Sequence, residues 1–346
     1  MNKYLPFGII LLFLLSSLIP VVSSDIIDDD SNTGAEYAIA HNRPDVVYVD
    51  DDYTNSTPGW WYDHFDIIQY GVDAVNEDGT VYVYNGIYND YFPDNFACVN
   101  IDKRINLVGE DKYNTIIDDV VSKYYVVRVR ADEVNISGFT IQHSDDTWYD
   151  GRAGVHIEHP TGLDVLRNIR IHDNIIIKND VGFEIMGTSD SKFYNNIISN
   201  NEQGIWLNGN NCSVYENLIS NNEVGIELYN GEEPNFIEYN QISNNEMGVR
   251  AYNTRATIRF NNFINNDVQA SFIKGNMLIS YIIDPFSLFT KQKWNSNYWD
   301  GWKVRTPKPI IGKLIIAIYL FLIFYYEFKF VSFEFDWHPA QEPYDI

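Results

Sequence analysis

The sequence predicts an all-β solenoid: a right-handed parallel β-helix of roughly eight or nine coils, with a short N-terminal capping helix and a C-terminal cap. Three observations predict it. First, five segments superimpose without gaps: His172–Asn179, Tyr194–Asn201, Tyr215–Asn222, Glu238–Asn245 and Arg259–Asn266. Second, their shared Asn falls at 174, 196, 217, 240 and 261, and Gly182, Gly204, Gly225 and Gly248 keep the same irregular period of 21 to 23 residues, with Gln269 in the last slot. Third, the apolar residues alternate with period two and are rich in Ile, Val and aromatics, which is the pattern of strands and not of helices.

Taken in chain order, residues 1–24 read as a cleaved signal peptide. Lys3 gives a positive start, Leu5 to Ile19 an apolar stretch, and Val22-Ser23-Ser24 the small residues of a cleavage site. Export is the localisation this implies, and the three sequons at Asn55, Asn135 and Asn211 agree with it. Residues 25–44 are an acidic segment. Within 45–78, Phe65, Ile68, Val72 and Val75 are spaced as one apolar helix face, read as a cap over the open sheet edge of a solenoid. Residues 79–283 are the β-helix itself.

After each Gly, the inward positions read Val155/Ile157, Phe183/Ile185, Ile205/Leu207, Ile226/Leu228 and Val249/Ala251. The Asn column (Asn174, Asn196, Asn217, Asn240 and Asn261) is expected to stack as an amide ladder, each side chain donating to one rung and accepting from the other. Asn and Gly at these corners are also expected to supply positive φ.

Residues 284–346 are read as a C-terminal cap and tail. Leu314 to Tyr326 is thirteen consecutive apolar residues, short of the roughly 20 a membrane span needs. An apolar strand laid over the last rung is therefore favoured, with membrane association as the alternative.

Charge excludes a function class. The 346 residues carry 48 acidic against 24 basic side chains, a net charge of −24 that opposes phosphate backbones, so no nucleic-acid partner is expected. Two Cys exclude a disulfide scaffold, and Cys98 and Cys212 lie about five coils apart, too far to bridge. No paired-His or Cys-rich metal motif occurs. The clusters Asp50-Asp51-Asp52 and Asp145-Asp146-Asp150 offer oxygens suited to calcium, and each is read as a solvated acidic loop, so no metal site or cofactor is assigned.

The outward column after each Gly runs His156, Glu184, Trp206, Glu227 and Arg250, with Glu158, Met186, Asn208, Tyr229 and Tyr252 beside it. Trp206, Tyr229 and Tyr252 are the carbohydrate-stacking candidates. Glu184 and Glu227, two rungs apart, are the weak candidates for a catalytic pair, at the long limit of an inverting glycosidase's spacing.

Tyr48-Val-Asp-Asp-Asp-Tyr53, Gly79-Thr-Val-Tyr-Val-Tyr-Asn-Gly86, Ile105-Asn-Leu-Val-Gly-Glu-Asp111, the Asn-rich repeats and the endings Asn297-Tyr-Trp-Asp-Gly-Trp302 and Phe335–Ile346 together resemble the pectin lyase-like superfamily. Within it they resemble the NosD-type repeat proteins of archaeal cell surfaces. The resemblance covers about residues 45 to 346 and implies the fold. It implies function weakly, because lyases, hydrolases, epimerases and adhesins share that superfamily. The Arg or Lys base beside calcium-holding carboxylates and the GHG and RIK motifs of its enzymes are missing here. Copper delivery, associated with NosD-type proteins, wants soft Cys or Met ligands, and this chain has two Cys and four Met. A structural, adhesive or carbohydrate-binding surface protein is the leading expectation. A polysaccharide lyase or hydrolase is the alternative, and a metal-delivery accessory is the third.

Overall fold

A computed structural model describes residues 43–90, 96–119, 125–144, 152–161, 164–229, 231, 233–279, 292–320 and 324–346. The segments read as signal peptide and most of the acidic stretch, along with Asp145, Asp146 and Asp150, lie outside them. Among the described residues, short parallel strands stack into three sheets of eleven, nine and eleven strands. Each coil contributes one strand to each sheet, and a parallel crossover of this kind turns right-handed. Nine coils result, the ninth built from Lys293–Asn295, Tyr298–Trp299 and Lys308–Leu320. The repeat therefore runs past residue 283 into the region expected to be cap.

Burial explains the stacking. Val155, Phe183, Ile205, Ile226 and Val249 sit one above another in register and are fully inaccessible to solvent. Each removes its apolar area from water, worth roughly 1.5–3 kcal/mol per large side chain. Neighbouring residues alternate between core and outward face in most strands, while Ala153–Ile157 and Val224–Leu228 are buried at all five positions.

The capping helix spans Ile68–Ala74, shorter than the Phe65–Val75 pattern suggests. Phe65 is taken into a two-residue strand, His64–Phe65, that pairs with Val46–Val49. All four expected face residues, Phe65, Ile68, Val72 and Val75, are nevertheless buried on the first rung.

The corner chemistry differs from expectation in one respect. The recurring glycines do not adopt positive φ; the residue before each ladder Asn does, at 55° for Asp173, Asn195 and Glu216, 54° for Tyr239 and 58° for Phe260. The glycines answer to a different demand. A Cβ on Gly204 would stand 2.5 Å from the Gly225 carbonyl oxygen, so the close approach of successive rungs excludes a side chain there.

The asparagine column is a ladder. Asn217 Oδ1 accepts from the Asn196 backbone N–H (3.0 Å) and from Asn196 Nδ2 (3.1 Å), while Asn217 Nδ2 donates to Asn240 Oδ1 (2.9 Å), Phe193 O and Tyr215 O. Asn174, Asn196, Asn240 and Asn261 repeat the pattern. A second ladder, Asn179, Asn201, Asn222, Asn245 and Asn266, runs five residues further along each repeat. It was present in the same segments but reads as turn composition in sequence.

The first ladder continues to Asn297 and ends on Asp336. Asp336 lies on the strand Phe324–Asp336, which returns antiparallel to Lys308–Leu320 and forms the outermost strand of its sheet. Both cysteines are buried, and they are not bridged to one another.

Candidate functional site

The third sheet displays its outward column in the predicted order. Arg128, His156, Glu184, Trp206, Glu227 and Arg250 are partners on consecutive rungs. Cross-strand neighbours about 4.8 Å apart are close enough to interact, and here they sort into two groups.

The upper group is polar and ionisable. His156 is only 1% exposed, its Nδ1 lies 2.6 Å from Glu184 Oε2, and its ring stacks on Tyr125 at 3.9 Å with an interplanar angle of 7°. Arg128 binds Glu158 from the rung above. The His156 Nε2 atom is 3.2 Å from Glu158 Oε2, too poorly aligned for a hydrogen bond. Burial, the largest influence, would raise the Glu158 carboxyl, but the hydrogen bond from Arg128 and the closeness of Arg128 and His156 together outweigh it and hold it below the ordinary glutamate value.

The lower group is aromatic. Trp206 and Tyr229 approach to 5.0 Å with planes tilted by 45°, and Tyr229 stacks on Tyr252 at 4.8 Å and 15°. Tyr229 donates its hydroxyl to Glu227 Oε1 at 2.8 Å, and Arg250 Nη1 is 3.8 Å from the same oxygen. Burial, that hydrogen bond and the Glu227 charge push the Tyr229 phenol up to about 12.

This geometry bears on each candidate. Trp206, Tyr229 and Tyr252 come together as expected, all half-buried. Tyr229 and Tyr252 stack nearly face to face, while Trp206 meets Tyr229 at a tilt instead of stacking on it. Glu184 and Glu227 do lie two rungs apart, yet neither stands open. Glu184 is spent on His156, and the Glu227 side chain is 4% exposed beneath Tyr229. Asn174, Asn196, Asn217, Asn240 and Asn261 are interior and take no part in the surface.

Sequence reading missed Tyr125 and Arg128, because Val126 stands where the later coils carry their recurring glycine and leaves the register of that strand unmarked. The signal lay in alternation: in Tyr125–Val129, the buried Val127 fixes Arg128 as outward.

Two peripheral features carry metal-type donor atoms. The carboxylates of Asp50, Asp51 and Asp52 gather within 4.8 Å of one another. Two of them already serve the backbone: Asp50 Oδ1 accepts from the Asp52 N–H and Asp51 Oδ2 from the Ile87 N–H. The Cys212 thiol is pushed up to about 12 by burial, which disfavours the thiolate that metal binding or nucleophilic attack would need.

A family model described as "Periplasmic copper-binding protein (NosD)" matches residues 72–302. Among solved structures, the pectate lyase Pel9A superimposes with a TM-score of 0.53 at 12% identity, covering 80% of this chain and 77% of that one. XylC in complex with xylose gives 0.47 at 12% identity, over 73% and 67% of the two chains. The pectin methylesterase PemA from Erwinia chrysanthemi gives 0.48 at 11%, over 75% and 90%. The pectate lyase likeness is one of fold alone. No curated protein matches the sequence.

Proposed function

The chain belongs to the NosD family, and from that premise we propose that it is an exported β-helix protein that binds carbohydrate of the cell envelope through Trp206, Tyr229 and Tyr252. The observation that carries this reading is the ring geometry. A sugar ring laid on the tilted indole of Trp206 gains apolar contact, with the stacked Tyr229 and Tyr252 continuing the aromatic strip beside it. The family's periplasmic description supports export. The net charge of −24 disfavours polyanionic chains, so a neutral glycan suits this surface better than a uronate.

The enzyme reading has less support. A glycosidase needs two carboxylates open to one cleft, and Glu184 and Glu227 are both engaged or covered. Copper fares no better. Copper(I) seeks soft sulfur donors; Cys98 and Cys212 are buried, and among the described residues the acidic trio at 50–52 is the one group of three or more His, Cys, Asp or Glu that gathers ligand atoms. These donors do not fit copper, so metal delivery is not the function assigned.

A glycan array on the purified protein, followed by titration of the best hit against Trp206→Ala, tests the proposal. Loss of about 1 to 3 kcal/mol of binding with an unchanged melting midpoint is expected. Reducing-end release abolished by Glu184→Gln or Glu227→Gln would establish catalysis instead.

A further inference from the structure

We propose that the C-terminal hairpin, Lys308–Leu320 with Phe324–Asp336, docks the protein onto an anionic lipid surface. The argument begins with strand faces. Ile310 and Gly312 turn toward the body and are buried, whereas Ile311 between them is 60% exposed. Ile311 is registered with Phe333, Lys313 with Val331, and Ile315 with Lys329. Alternation puts all six on the outward face. There Val331 is 70% exposed, Phe333 55% and Phe335 39%, with Lys313 and Lys329 exposed among them.

This is the last outward row of the same sheet that carries the aromatic strip, continuous with it through Tyr252, Ile273 and Lys313. An exposed apolar row is unusual for a protein in water and marks a contact surface.

Charge decides the occupant. Lys313 and Lys329 stand exposed on this face, and Lys303, Arg305 and Lys308 lie close by in sequence, so that residues 301–333 hold a single acid, Glu327, in a chain whose net charge is −24. Apolar side chains interspersed with lysines suit the headgroup region of an anionic bilayer. The acidic coils beyond about 8 Å are screened at physiological salt and do not cancel this attraction. A second copy is disfavoured, because an isologous contact would bring Lys313 and Lys329 against their own counterparts. The contact is interfacial and not spanning: Phe324–Asp336 is the free edge of its sheet, and unpaired backbone groups are not tolerated in hydrocarbon. No helix among the described residues is long and apolar enough to cross a membrane either.

The test is co-sedimentation of the full chain with phosphatidylglycerol vesicles, compared with phosphatidylcholine vesicles. Preferential binding to the anionic vesicles is expected, weakening with added salt. Lys313→Gln and Lys329→Gln should each reduce partitioning about fivefold. The double variant Val331→Ser/Phe333→Ser should reduce it about tenfold or more. Because every variant keeps residues 1–42, the differences isolate the hairpin from the N-terminal apolar stretch. Both serines replace exposed side chains, and an unchanged circular dichroism melt confirms the fold. Equal partitioning of parent and variants overturns the proposal. So does concentration-dependent dimerisation by light scattering that the double variant abolishes without any vesicle binding, which would assign the face to a second copy.

Discussion

Asp336 closes the first amide ladder as an acceptor with nothing to donate. Its Oδ2 receives the Asn297 backbone N–H (2.9 Å), Asn297 Nδ2 (3.1 Å) and Trp299 Nε1 (3.0 Å), and its Oδ1 receives the N–H groups of Ser296 and His338. An asparagine here would turn an NH2 toward donors whichever way it flipped. Asp336→Asn is therefore expected to cost about 2 to 3 kcal/mol, read as a lowered urea midpoint with an unchanged slope. Glu158 makes a pH-dependent contribution of known sign. Its folded value lies below its unfolded one, so the stabilisation is full above the ordinary glutamate range and is lost as pH falls through the folded value. Glu158→Gln should lower the thermal midpoint at neutral pH and flatten its fall into acid; a parallel acid limb in both proteins would remove this residue from the account. Neither role was legible in the sequence. The partners of Glu158 lie two positions away and a full coil away, and Asp336 reaches its ladder only because the hairpin brings the chain back.

A rung is a contract between neighbours, and the two kinds of marker residue enforce different clauses of it. The ladder asparagines satisfy backbone groups at a buried turn, while the glycines let successive backbones close up. Replacing Asn217 with Leu would strip acceptors from Asn196 and donors from Asn240, Phe193 and Tyr215, the first three of them interior. The expected loss is about 3 kcal/mol or more, and an unchanged thermal midpoint would contradict the ladder's energetic role. The repeated Asn made this ladder legible from side-chain identity alone. The second ladder used equally regular residues, but a consecutive Asn-Asn pair is as well explained by turn chemistry, and only the hydrogen bonds separate the two. The hairpin was half legible: the apolar run announced a strand at the end of the coil, while the outward face of Ile311, Val331 and Phe333 depended on register.

At the scale of the molecule, nearest-neighbour stacking means that stability is approximately a sum over coils and their interfaces. Most of this was open to sequence, because a period survives substitution better than any motif does; what was not open was the trade among outward residues, since charge pairs such as Arg128 with Glu158 form across coils whose register sequence alone leaves loose. Excising residues 218–240, one 23-residue step of the ladder, should yield a folded protein with its strand signature intact and a modestly lower midpoint, whereas removing half a step should abolish folding. Circular dichroism on the two deletions distinguishes these outcomes. The ladder ending on Asp336 thereby makes the protein a ruler with a fixed stop. Each amide passes an identical demand to the next rung, so whole rungs of about 4.8 Å can be added or withdrawn between the capping helix and the carboxylate. The reach between the two ends is then free to change while the ends themselves stay the same.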